Sequence, residues 1–278
     1  MRLLVTGAAG MLGNDVVTAA GRAGHETVAL ARRDLDITDR YAVRSALAAH
    51  APDAVVNCAA WTDVDGAEDD EQGALAVNGA GAGHVAAAAA AAGAHLVHVS
   101  TDYVFDGRAT SPYLESSPVN PVSAYGRTKL EGERALDPAR DTIVRASWLF
   151  GAGGGNFAAT MLRVAGERDE VTVVDDQRGF PTYTGHLAPA LVAVAEARAT
   201  GILHAGGDEP CTWFDFAEAI FAAAAKEMTV HRGSSADLGR PAPRPAYSVL
   251  GTERPDAPRL PSWREGLAAY LDEIRVTR

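Results

Sequence analysis

A chain of 278 residues with 47% apolar content carries enough core-forming material for one large domain or two small ones, which excludes a disordered or fibrous protein. Its formal charge of −11 argues against a broad electrostatic footprint on DNA, RNA or an anionic membrane, so an anionic ligand must be held locally. The two cysteines, Cys58 and Cys211, are too few for a disulfide framework or a thiolate metal cage, and any redox chemistry belongs to a bound cofactor.

The chain opens on an apolar strand over residues 3–6 that runs into a glycine turn. It shows no signal-peptide core and no window approaching the roughly 18 to 20 apolar residues that span a bilayer, so a soluble, cytoplasmic protein is expected. A helix over about 11–23 follows, then a strand over 26–31, a helix over 42–50 and a strand over 54–58. A long helix over about 72–92, including the alanine run 86–92, leads to a strand over 96–100. A further helix over 125–136 leads to a strand over 142–146. Strands separated by helices of this length are successive βαβ units, which predicts an α/β fold with a doubly wound parallel sheet of the Rossmann type.

After about residue 147 the alternation fades into the glycines at 151–155 and two Pro-rich stretches, 240–245 and 255–261. These features predict a smaller C-terminal substrate lobe. The expected division is a dinucleotide-binding domain over 1–146, to which 171–190 returns through a strand at 171–174, and a lobe built from 147–170 and 191–278.

Gly7, Gly10 and Gly13 fall immediately after the first strand and open the first helix, in the spacing GxxGxxG. A backbone without Cβ turns tightly and approaches a pyrophosphate, whose charge meets free N–H groups and the positive end of the helix. The second strand ends at Arg32-Arg33, where an NAD site would carry an acidic residue for the ribose 2′-hydroxyl. A guanidinium pairs with a 2′-phosphate, which favours NADPH, although ordinary surface arginines give the same pattern.

Tyr125 and Lys129 lie four residues apart, on one face of a helix. Lysine occurs only at 129 and 226, against 23 arginines, so a lysine kept at this spacing points to a need for a compact ammonium. An adjacent ammonium favours the phenolate form of a tyrosine that would otherwise be a poor proton shuttle at neutral pH. Thr101, at the carboxyl end of a strand, is placed to hydrogen-bond a substrate carbonyl.

The segments TGAAGMLG (6–13), NCAAWTDVDGAE (57–68), STDYVFDG (100–107), NPVSAYGRTKLEGE (120–133), VRASWLFG (144–151), NFAATML (156–162) and DDQRGFPT (175–182) together resemble the extended short-chain dehydrogenase/reductases. Within that superfamily they are similar to the dTDP-4-dehydrorhamnose reductase family, over residues 1 to about 190, with a weak echo at 263–267. The resemblance implies NADPH-dependent reduction of the 4-keto group of a dTDP-4-dehydro-6-deoxy sugar, dTDP-4-dehydro-L-rhamnose to dTDP-L-rhamnose. Carried over by position, it implies Gly10, Met11 and Leu12 at the pyrophosphate, Asp36 and Ile37 at the adenine, and Ala60, Trp61 and Thr62 at the middle of the cofactor. It implies Thr101, Tyr125 and Lys129 as the catalytic set, and Thr62, Val64, Asp102 and Trp148 as substrate contacts beside Thr101 and Tyr125. For Trp148 a plain core tryptophan fits the residues equally well. Some members of the family bind Mg2+ between subunits through three carboxylates, and the matching positions here are Asp15, Gly185 and Glu273. With one ligand lost, no metal site is expected, and monomer or homodimer stays open.

Related dehydratases carry Thr-Asp-Glu where this chain has Thr101-Asp102-Tyr103, and without that glutamate elimination lacks an acid/base group. A 4-epimerase retains bound NAD, which the paired arginines disfavour. Two alternatives remain: a sister reductase such as dTDP-dihydrostreptose synthase, and a non-catalytic NADP-binding regulatory subunit on the same fold.

Overall fold

In the computed structural model, which describes residues 1–207 and 209–276, strand β1 (Arg2–Thr6) sends Leu3 and Val5 to one face and Leu4 to the other. Both faces are covered. Leu3 and Val5 meet Val16, Leu187 and Leu191, whereas Leu4 meets Val43, Leu47 and Val85. A strand apolar on both sides is what a parallel sheet between two helical layers demands. β1 pairs in parallel with β2 (Glu26–Leu30) and β3 (Ala54–Asn57), and β4 (His95–Thr101) and β5 (Thr142–Ala146) continue the sheet beyond β3. The predicted doubly wound α/β fold is the observed one. Helix α1 (Met11–Arg22) and the helix Thr184–Ala197 cover one face. Helix α2 (Arg40–His50), capped by the Asp39 carboxylate, and the helix Ala82–Ala92 cover the other. Chain direction away from β1 reverses between β2 and β3, so a crevice opens at the carboxyl ends of β1 and β3.

The sixth strand corrects the predicted boundary. Gly201–His204 pairs in parallel with β5, Ile202 opposite Ile143, and occupies the sheet edge. The preceding helix Thr184–Ala197 supplies its crossover, so 191–204 belong to the large domain rather than to the lobe. The strand Glu170–Val174 does not return to this sheet. It pairs in parallel with Thr229–Gly233, Val171 opposite Val230. The lobe has its own aromatic core, with Phe150, Phe180, Phe216 and Trp263 almost fully buried. Residues 208, 277 and 278 of the predicted lobe lie outside the described residues.

The predicted helix 72–92 runs as Glu71–Leu75, a π-turn over Ala76–Gly81, and Ala82–Ala92. Inserted π-turns commonly re-aim a side chain at a functional site, and here the turn carries Asn78. Its amide accepts from Trp61 N at 2.9 Å and donates to Trp61 O and to the Thr128 hydroxyl, each at 3.1 Å. An 18-residue window of the 22-residue helix Glu71–Ala92 reaches a mean hydropathy of 1.2, so by length and composition it meets the requirement for a bilayer span, contrary to the expectation. Alanine is the reason: it raises mean hydropathy while staying small enough for close packing on β3, β4 and α2.

Candidate active site

The glycine turn is set by backbone geometry. Gly7 sits at φ +66°, in the left-handed region that L side chains avoid, and a Cβ there would lie 2.7 Å from Ala59 N. A Cβ on Gly13 would lie 2.2 Å from Gly7 O. The turn therefore folds flush against the start of α1, whose N-cap residue Gly10 offers no side-chain cap. The first N–H groups of α1 are left to a ligand, and the positive end of the helix favours an anion there.

This turn forms one end of a cavity of about 950 Å³ that runs across the carboxyl edge of the sheet. Gly7, Gly10, Met11, Leu12 and Gly13 line it at that end, with Arg32, Asp36 and Ile37 beyond β2. Ala60, Trp61 and Thr62 follow β3 along its middle. One predicted cofactor residue is not brought in. Arg33 is 88% exposed, lies 3.7 Å from Asp34 and does not line the cavity, because adjacent residues after a strand point in different directions.

Thr101, Asp102, Tyr125 and Lys129 meet farther along the same cavity. The helix Ala124–Arg134 that carries Tyr125 and Lys129 starts at Ser123, whose hydroxyl accepts from Gly126 N, while Glu68 accepts from Ala124 N at 2.7 Å. A buried ion pair pins the other end: Arg145 of β5 bonds Glu133 through Nε at 2.9 Å and Nη2 at 2.6 Å, and Ser100 donates to the same carboxylate. Burial pushes the Tyr125 phenol up to about 12, with the Thr101 hydroxyl opposing. Burial also brings the Lys129 amine down to about 8. Thr101 donates to Asp102 Oδ1 at 3.0 Å and accepts from Tyr103 N. Asp102 Oδ2 is buried with no hydrogen bond of ordinary geometry among the described residues, and burial, opposed by the nearby Ser248 and Thr101 hydroxyls, pushes this carboxyl up to about 7.

Val64, after β3, and Trp148, after β5, also line the cavity. Trp148 has φ +48° and stacks on Trp213 with ring centroids 3.6 Å apart and planes 8° from parallel. Gly179 makes room for its indole, since a Cβ there would lie 2.5 Å from Cε2. Trp148 is thus only partly buried: it packs on the lobe core and presents a surface to the cavity.

Sequence reasoning missed Asn57, Asn78, His98 and Trp213. For Asn57 and His98 the signal was present, as polar residues inside strands of otherwise buried apolar ones. For Asn78 and Trp213 there was none, because a π-turn and a stack between distant segments leave no local pattern.

The positions that match a family Mg2+ site keep two of its three carboxylates, Asp15 and Glu273. Asp15 and Glu273 are electrostatic neighbours, and burial, with Glu273 adding to it, holds the Asp15 carboxyl above its ordinary value. Tyr183 donates to Glu273 Oε2 at 2.7 Å. Gly185 offers no ligand, and a Cβ there would lie 2.5 Å from the Tyr183 ring. Among the described residues no group of three or more His, Cys, Asp or Glu could hold a metal.

The family model described as RmlD substrate binding domain matches residues 1–276. The chain is 48% identical to a dTDP-4-dehydrorhamnose reductase of Streptomyces griseus, over 98% of this chain and 93% of that one. It is 46% identical to a dTDP-4-keto-6-deoxy-D-glucose reductase of Streptomyces niveus, over 99% and 93%. The crystal structure of a dTDP-4-dehydrorhamnose reductase of Bacillus anthracis in complex with NADP matches with a TM-score of 0.94 at 35% identity, covering 98% of this chain and 99% of that one. A chain with this glycine turn, this Tyr125 and Lys129 helix and this end-to-end similarity belongs to the dTDP-4-dehydrorhamnose reductase family.

Proposed function

We propose that this chain reduces the 4-keto group of dTDP-4-dehydro-L-rhamnose with NADPH, giving dTDP-L-rhamnose. One observation carries the reading: a single cavity joins the uncapped start of α1 and Arg32 to Thr101, Tyr125 and Lys129 and then to Trp148. The residues fit the cofactor. The N–H groups of Met11, Leu12 and Gly13 and the closely approached Gly7 turn hold a pyrophosphate, and the Arg32 guanidinium holds a 2′-phosphate. Asp36 and Ile37 border the adenine, and Ala60, Trp61 and Thr62 the middle of the molecule. NADPH bound there supplies the hydride.

The chain supplies the proton and the orientation. A phenol pushed up to about 12 stays protonated at neutral pH, so Tyr125 donates to the carbonyl oxygen as negative charge develops on it. The Lys129 ammonium stabilises the phenolate that results. Thr101 turns its hydroxyl to the same oxygen. Asp102 Oδ2, which makes no hydrogen bond of ordinary geometry among the described residues, takes a sugar hydroxyl. Trp148 and Val64 give the sugar an apolar floor. With Gly185 in place of the third carboxylate, the reading routes no step through a cation at the family's subunit boundary. A cytoplasmic enzyme, monomer or homodimer, without nucleic-acid or membrane partners completes the reading.

A second reading, a sister reductase of another dTDP-4-keto sugar, is favoured by the near-equal identity to the Streptomyces niveus protein. NADPH oxidation against a panel of dTDP-4-keto sugars, with product identification, separates the two. The expected result is highest kcat/KM with dTDP-4-dehydro-L-rhamnose, unchanged by EDTA. A higher value with another sugar supports the sister reading, no oxidation with any sugar supports a regulatory subunit, and EDTA-sensitive activity restored by Mg2+ overturns the reading of Gly185.

The two arginines after β2 are also expected to separate. Arg32→Ala reduces the preference for NADPH over NADH by roughly tenfold or more, the value of one charge-assisted hydrogen bond. Arg33→Ala leaves the ratio of catalytic efficiencies unchanged, because its side chain faces solvent. The reverse outcome would place the 2′-phosphate on Arg33.

A further inference from the structure

Beneath the active site runs a buried chain of polar side chains to which the reaction above gives no role. Thr6 donates to Asn57 Oδ1 at 2.6 Å, and Ala59 N reaches the same oxygen at 3.3 Å. Asn57 Nδ2 lies 3.0 Å from His98 Nδ1, and His98 Nε2 lies 3.4 Å from Lys129 Nζ. Thr6, Asn57, His98 and Lys129 are each at most 2% exposed. A backbone N–H can only donate, so Ala59 fixes which end of the Asn57 amide is oxygen. The other end, Nδ2, must then donate to His98 Nδ1. An Nδ1 that accepts carries no proton. Burial, with the Lys129 charge next, holds the imidazole well below its ordinary value, so it is neutral and its one proton sits on Nε2.

We propose that His98 is a positioning residue whose Nε2–H faces Lys129 Nζ and so sets the protonation state of the active-site lysine. Two donors facing one another disfavour the ammonium, whereas a neutral amine turns its lone pair to the imidazole N–H. Nζ keeps one further bond, donated to Val99 O at 2.8 Å, and no carboxylate lies within ion-pair distance of it among the described residues. The other groups facing it do not replace His98. Glu133, one turn along the helix, favours the ammonium but is already engaged by Arg145 and Ser100. Burial pushes the Cys58 thiol, after β3, and the Tyr125 phenol, one turn earlier on the helix, each up to about 12, so both are uncharged near neutral pH. Burial brings the amine down to about 8, and the facing imidazole N–H acts in the same direction. The proposal concerns the protein alone, and its effect on turnover rests on the reductase reading.

The chain's two lysines make the test direct. In protein labelled with 13C at lysine Cε, Lys226→Arg leaves a single titrating signal, expected to have its midpoint at about 8 without cofactor or substrate. Nitrogen NMR of His98, assigned by its loss in His98→Leu, should show a bare Nδ1 and a protonated Nε2. Leu removes the N–H that faces Nζ and puts no donor in its place, so His98→Leu should move the lysine midpoint up by about one pH unit, and the basic limb of kcat/KM should move with it. A wild-type midpoint near the ordinary lysine value of about 10.4, a bare Nε2, or an unmoved midpoint in His98→Leu would each overturn the proposal. Should that variant not fold, His98→Met, which removes the same N–H, is read in the same way. A lysine midpoint that shifts while the pH profile of turnover stays put upholds His98 and instead counts against Lys129 in the reaction.

Discussion

Tyr125→Phe is expected to keep NADPH binding nearly intact and to lose turnover by about 10²- to 10⁴-fold, the range for a positioned general acid. The substitution removes only the hydroxyl. The ring is held by its edge-on contact with Tyr103, centroids 5.6 Å apart, and by its place one residue inside the Ser123-capped helix end, so the fold and the glycine turn should not change. Single-turnover hydride transfer, followed by loss of NADPH absorbance, should slow by the same factor as kcat, and fluorescence titration should give the wild-type Kd for NADPH. Turnover within a few-fold of wild type would remove Tyr125 from the reaction and leave Thr101 or a protonated Asp102 as the donor.

Arg145→Met should be the most destabilising single change discussed here, by about 3–5 kcal/mol, because it leaves Glu133 buried without its countercharge. Arg145 is 2% exposed and Glu133 4% at the side chain, and the pair is bidentate. Arg145 also reaches His204 Nε2 and stacks its guanidinium over Phe105, so it ties β5 to the sheet edge and to the loop after β4. Denaturant unfolding of the wild type, Arg145→Met and Arg145→Met/Glu133→Leu measures it. The double variant is expected to recover most of the loss, since the damage comes from an uncompensated charge rather than a missing contact. A single variant within about 1 kcal/mol of wild type would show that water reaches Glu133.

How much of this was legible in the sequence differs by element. The first five strands were recovered to within about two residues, because each is an apolar run between helical segments and a parallel sheet needs apolar residues on both faces. The glycine turn was legible for a local reason as well: Gly7 takes a positive φ and Gly13 packs on Gly7 O six residues back, although Gly7 also abuts Ala59 just after β3. The strand Gly201–His204 was missed because only Ile202 and Leu203 in it are apolar, and its place at the edge is set by pairing with β5. The strand 171–174 was recognised as a strand but assigned to the wrong sheet, since the choice of partner is long-range.

For the site, the residue types and their spacing by themselves pointed to the cofactor class and to the proposed proton donor with its ammonium. Those depend on which chemical groups sit one helical turn apart or just after a strand, and helix and strand geometry carries that distance without further help. Only the tertiary structure decided which of Arg32 and Arg33 enters the cavity, that Trp148 rests on Trp213, and that Asn78 is aimed from a π-turn. It alone placed His98 against Lys129. Those outcomes turn on side-chain direction and on contacts between segments tens to hundreds of residues apart, which a chain acquires only once its sheet has closed around them.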